Sequence, residues 1–178
     1  MGSHRASIRY AKSLIELSQE QNSLEKVKED MILFSNVIES NRDFANILKN
    51  PVIQTDKKRK VLKAIFDKRV QPLTLKAFEL ILTKNRENML AFIATDFINE
   101  YNILKGIAVA HITTPFTLDN DQRKQVNELV TEITGKKPEL IEEVNETIIG
   151  GFVLKIGDRQ IDESVKTKLT KIQRALVA

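Results

Sequence analysis

Residues 148–165 read Ile148-Ile149-Gly150-Gly151-Phe152-Val153-Leu154-Lys155-Ile156-Gly157-Asp158-Arg159-Gln160-Ile161-Asp162-Glu163-Ser164-Val165. After the paired glycines, Phe152, Leu154 and Ile156 alternate with Val153 and Lys155, the period of two that gives a strand one buried and one less buried face. Gly157-Asp158 reads as a turn. A glycine at the first central position suits the mirror-image turns whose twist matches a hairpin, so Arg159 to Ile161 folds back as a second strand. Strand character stops at Asp162, whose side chain is placed to cap a helix carrying Val165, Leu169, Ile172 and Leu176 on one face.

Upstream, Ile107 to Thr113 is β-branched and alanine-rich with no helical period, and reads as a strand closed by Pro115. Asp119 with Gln122 forms a capping box for a helix bearing Val126, Leu129, Val130 and Ile133, which Gly135 and Pro138 stop. Leu140 to Val144 is a further strand. Together with the hairpin and the last helix, these predict a small α+β unit of four short strands and two helices, occupying 106–178.

From Ser7 to about Asn102 the pattern is helical throughout, within an amino-terminal domain assigned to 5–105. The first helix carries Ile8, Ala11, Leu14, Ile15 and Leu17, with Tyr10 beside them. Asn22 with Glu25 predicts a capping box for a second helix, whose seam is Leu24, Val27, Met31, Phe34 and Ile38. A short third helix after Ser40 groups Phe44, Ile47 and Leu48 and ends at Asn50-Pro51. Thr55 is placed to cap a fourth with Val61, Leu62, Ile65 and Phe66. Pro72 opens a fifth with Leu73, Ala77, Phe78, Leu80, Ile81 and Leu82. Beyond the polar break Asn85-Arg86-Glu87-Asn88, a sixth carries Leu90, Ile93, Phe97, Tyr101 and Leu104. The fold class is therefore mainly α: an amino-terminal six-helix bundle followed by a small carboxy-terminal α+β domain. Met1-Gly2-Ser3-His4 resembles the remainder of an expression tag, and is equally readable as native; it is set aside here.

Composition narrows the function. A 42% hydrophobic and 29% charged chain belongs among ordinary globular proteins, and the net charge of +4 comes from 28 basic and 24 acidic residues mixed along the sequence. There is no cysteine, which excludes disulfides and thiolate metal sites. No apolar run approaches the length of a membrane-spanning helix, so the chain reads as soluble, or as peripheral to something that is not.

Candidate sites weigh towards structure. Gly150-Gly151 leads into a strand rather than a helix and lacks a Walker lysine, so its role is backbone conformation or close approach, not phosphate binding. Lys57-Lys58-Arg59-Lys60 spreads around a helical turn and reads as a solvated surface; an RNA-binding module is the alternative it leaves open. His111 has no acidic partner nearby in sequence and reads as a packed or edge-strand residue. Glu142-Glu143 and Asp162-Glu163 are neighbours that point to opposite faces of a strand, and Asp162 is explained as a cap. No catalytic residue, cofactor or metal is called for. The first and fifth helices carry more apolar surface than one contact needs, which fits either full burial or a groove for a partner helix.

The chain resembles the delta subunit of F-type ATP synthase, the bacterial counterpart of the mitochondrial oligomycin-sensitivity-conferring protein. The match rests on Arg9-Tyr10-Ala11-Lys12-Ser13-Leu14, on Lys84-Asn85-Arg86, and above all on Val144-Asn145, Ile148, Gly150-Gly151-Phe152, Leu154 through Asp158, Ile161-Asp162 and Ser164-Val165. The resemblance implies a non-catalytic stator subunit for ATP synthesis and hydrogen ion transport, peripheral on the cytoplasmic face of the bacterial inner membrane. Its bundle would bind the amino-terminal helices of alpha subunits between the first and fifth helices, through Tyr10, Ser13, Leu14, Phe78, Ile81 and Leu82. Its carboxy-terminal domain would receive the ends of the peripheral-stalk b subunits.

Overall fold

The computed structural model describes residues 2–177, and their side chains except those at 2, 3, 172 and 174–177. Internal contacts divide the chain into two compact units, Met1–Tyr101 and Asn102–Ala178. The first holds helices α1 (Gly2–Glu20), α2 (Leu24–Ser40), α3 (Arg42–Lys49), α4 (Thr55–Phe66) and α5 (Pro72–Thr83), then a 3-10 turn at Glu87–Met89 and most of α6 (Leu90–Lys105). Helix α1 already runs at Gly2, so Gly2, Ser3 and His4 of the residues set aside above are part of it. Its His4 carbonyl accepts a hydrogen bond from the Ser7 hydroxyl at 2.8 Å.

Periodicity explains this unit's core. Val27, Met31 and Phe34 are buried as their spacing requires, with Leu24 and Ile38 partly buried at the ends of the seam. Phe34 gathers Phe44, Phe66 and Phe78 at ring-centroid distances of 6.3, 5.4 and 4.6 Å. Those separations suit tilted and edge-on ring pairs, which add specific attraction to the burial.

Two predicted caps are corrected. Asn22 does not start α2; it ends α1. With φ +51 it takes the left-handed conformation while Asn22 N–H donates to Gln19 O at 3.0 Å and Ser23 N–H to Ser18 O at 2.8 Å, the paired bonds of a Schellman motif. Asn85 repeats this at the end of α5, with φ +53 and Arg86 N–H bonded to Ile81 O at 3.1 Å. Thr55 lies inside α4 rather than at its cap, and its hydroxyl donates to Asn85 Oδ1 at 3.2 Å.

The second unit holds β1 (Ile107–Thr114), α7 (Asn120–Thr134), β2 (Lys137–Val144), β3 (Val153–Ile156), β4 (Arg159–Asp162) and α8 (Val165–Val177). The sheet order is β2-β1-β3-β4, with β1 and β2 parallel and the other pairs antiparallel. The parallel pair requires a crossover, which α7 provides, its start fixed by the Asp119–Gln122 capping box. Strand β2 begins before Leu140, at Lys137, and accommodates Pro138 because it is an edge strand. Ala110, Ile112, Val126, Val130 and Leu154 make the core, with Phe152, Ile156 and Ile161 packed on it.

The hairpin forms as its sequence predicts. Gly157 has φ +56 while Asp158, exposed beside it, is not left-handed; positive φ at the first central position alone is the primed-turn pattern of a two-residue hairpin. Asp162 is not the cap of the final helix. Ser164 occupies that position, its hydroxyl accepting from Thr167 N–H at 3.3 Å, while Asp162 accepts from Ser164 N–H at 2.9 Å and from the Thr167 hydroxyl at 2.8 Å. These donors hold the Asp162 carboxyl below its usual range. Of the predicted helix face, Val165 and Leu169 are exposed, and Ile172 and Leu176 lie outside the described side chains.

Candidate partner-binding groove

Helix α1 sets Tyr10, Ser13, Leu14 and Leu17 at spacings of three, four and seven, one face of a helix. Helix α5 does the same with Leu73, Lys76, Ala77, Leu80 and Ile81. These two faces, with Ile93 of α6, line an apolar groove of about 190 Å³. Four residues predicted as partner contacts meet here: Tyr10, Ser13, Leu14 and Ile81. Leu14 and Ile81 are 5% and 3% exposed, so they form its floor.

Phe78 and Leu82, also predicted as contacts, do not reach the groove. They are 1% and 0% exposed, and Phe78 stacks in the aromatic core against Phe34. The residues that replace them are Leu17 and Leu80, 45% and 53% exposed on the two walls, together with Leu73, Lys76 and Ala77. The signal was present in the seven-residue spacings Tyr10 to Leu17 and Leu73 to Leu80. Periodicity marks both as apolar-face residues without saying which side of that face a neighbouring helix covers.

Polar groups sit at the margin. Arg86 donates from Nη1 to the Tyr10 hydroxyl at 3.0 Å, with its guanidinium carbon 5.8 Å from the ring centroid. Glu79 is drawn to Lys63 at 2.7 Å, and Lys12 lies 3.5 Å from Glu100.

The basic run departs from its reading as a solvated surface. Lys58 is 1% exposed, with Nζ 2.5 Å from Glu87 Oε1 and 3.2 Å from Leu48 O. Arg59 pairs with Asp56 at 3.1 Å, so the run does not present four free cations to a phosphate backbone. His111 is exposed on β1, an inner strand rather than an edge, with Ile141 and Lys155 as its neighbours in register. Among the described residues no group of three or more His, Cys, Asp or Glu could hold a metal ion.

The glycine pair has a geometric cause. Gly151 has φ +80, and a Cβ there would collide with the Glu163 carbonyl. Gly150 O accepts from Val165 N–H at 2.9 Å and a Cβ on Gly150 would meet Val165 Cγ2 at 3.1 Å. The pair thus lets the segment before β3 lie against the entry to α8.

A helical unit with an apolar groove, continuous in sequence with a small α+β unit, defines a mainly α protein of two compact units. The family model for the ATP synthase delta (OSCP) subunit matches residues 6–176, and the chain belongs to that family. It is 39% identical over 169 residues to ATP synthase subunit delta of Cytophaga hutchinsonii, covering 95% of this chain and 92% of that protein. It is 37% identical over 172 residues to the subunit delta of Christiangramia forsetii, covering 97% and 93%. A chain of the Toxoplasma gondii mitochondrial ATP synthase hexamer, seen by cryo-electron microscopy, shares the fold with a TM-score of 0.71 and 22% identity over 97% of both chains. The delta (OSCP) subunit is a structural and not a catalytic part of the ATP synthase.

Proposed function

We propose that the protein is the stator link of an F-type ATP synthase. Its bundle, assigned to 5–105, grips the amino-terminal helices of alpha subunits, and its carboxy-terminal domain, 106–178, receives the ends of the b subunits. The observation that carries this reading is the α1/α5 groove, whose leucines at helical spacing match the apolar stripe of an amphipathic helix. No helix among the described residues is long and apolar enough to cross a membrane, in keeping with attachment to the membrane through the complex, on the cytoplasmic face of the bacterial inner membrane.

The task is mechanical. A rotor turning within the catalytic head exerts torque on it, and proton flow does work only if the head is held still. That requires slow dissociation from each partner, and two interfaces on one chain raise the effective concentration for assembly.

Calorimetric titration with a peptide of the cognate alpha subunit's amino-terminal segment tests this. Saturable binding to the wild-type chain, lost in Leu80→Asp with unchanged helicity, is the expected result. Leu80 is the appropriate position because it is exposed on the wall; Ile81, buried in the floor, would confound binding with unfolding. Equal binding by Leu80→Asp would remove the groove assignment.

A further inference from the structure

The groove is apolar inside, but its α5 margin is basic. Lys76 is the one charged residue among those lining it, is exposed, and has no ion-pair partner among the described residues. Lys84 follows Ala77 and Leu80 by seven and four residues and so continues their face at the end of α5. Arg86 closes that end, bonded to the Tyr10 hydroxyl. The acidic residue of α5, Glu79, is occupied by Lys63. Three cations therefore border one wall of an apolar trough, with no carboxylate of α5 left free to neutralise them.

We propose that this margin selects its occupant by charge: the groove takes an amphipathic helix whose apolar stripe is flanked, on the side facing α5, by carboxylates that pair with Lys76, Lys84 and Arg86. The inference rests on the proposed groove function and adds the recognition rule. Apolar anchors supply most of the affinity, while the bordering charges set which helix, and which rotation of it, is accepted. Arg86 acts as a positioning residue as well, because its bond fixes the Tyr10 ring at the end of the trough while leaving further guanidinium donors for a carboxylate. Lysines around a trough otherwise apolar would repel a helix with a basic flank, which gives discrimination among the many amphipathic helices of a cell.

The test uses the full chain and three forms of the cognate alpha amino-terminal peptide: native, with Asp and Glu changed to Asn and Gln, and with them changed to Lys. Titrations are run at low and high salt against wild type, Lys76→Glu and Arg86→Gln. The native peptide should bind wild type about three- to tenfold more tightly than the neutral peptide at low salt, a gap that narrows at high salt. Lys76→Glu should weaken the native peptide and improve the Lys peptide, a reciprocal swap that misfolding cannot produce. Equal affinity of native and neutral peptides would overturn charge selection and leave the groove function standing. Failure of the native peptide to bind folded wild type would overturn both.

Discussion

Lys58 and Glu87, 29 residues apart, meet with Nζ 2.5 Å from Oε1 inside the helical unit, and the lysine is 1% exposed. The contact joins α4 to the 3-10 turn before α6, and the bond from Lys58 to Leu48 O draws in the end of α3. Glu87 Oε2 is buried without a hydrogen-bond partner among the described residues. Removing the cation leaves a carboxylate in low dielectric. Lys58→Met should therefore cost about 3–5 kcal/mol, and Lys58→Met combined with Glu87→Gln should cost clearly less. Urea unfolding of both variants measures the difference; equal losses would show that the ion pair adds nothing beyond packing.

Asp30, on α2, accepts from the Gln71 N–H at 2.8 Å and the Thr74 hydroxyl at 2.6 Å at the start of α5. Burial pushes its carboxyl above the ordinary 3.8, against the lowering effect of those two donors. A raised folded value means that the folded state holds the proton more tightly, so Asp30 subtracts stability as pH rises from 3.8 through that raised value. Wild type measured against Asp30→Asn should therefore lose ground between acid and neutral pH. For Asp162, held low by Ser164 and Thr167, the sign reverses: its contribution is present at neutral pH and lost as pH falls below 3.8. Urea midpoints of Asp30→Asn and Asp162→Asn across that range check both directions.

Gly151→Ala should destabilise the carboxy-terminal unit by about 2 kcal/mol or more, since it combines left-handed strain with a collision against the Glu163 carbonyl. At Gly157 the φ is +56 but nothing lies within 4 Å of an added Cβ. Gly157→Ala should then cost only the backbone term, about 1–2 kcal/mol. Hydrogen exchange of the β3 and β4 amides ranks the two; a larger effect at Gly157 would contradict the steric account.

Phe78 and Leu80, two residues apart on α5, should separate folding from binding. Phe78→Ala opens a cavity beside Phe34 and Phe66 and should cost about 3–5 kcal/mol. Leu80→Ala removes a half-exposed side chain and should change stability by less than about 1 kcal/mol while weakening the alpha-subunit peptide. Thermal melts paired with peptide titration would show whether either effect crosses over.

Much of this was legible in the residues. The alternation around Leu154, the Gly157 turn and the Asp119–Gln122 box are local patterns, and each element formed where they lie. The cap missed at Asn22 has a physical cause. Asn serves equally as a helix N-cap and as the left-handed residue that ends one, and only the length of the preceding helix, set by what it packs on, decides between them at Asn22.

The sequence by itself determined the elements, their order, the division in character near Gly106 and the family, because helix and strand periods are properties of neighbouring residues. The tertiary structure decided which stripe residues stay open: Leu80 on the wall and Phe78 in the core, though both are apolar on one helix. It also buried Lys58 beneath Glu87 and put Asp30 at the start of α5, 41 and 44 residues from its donors. Burial and pairing are through-space quantities fixed by how helices distant in sequence meet, and no local period encodes them.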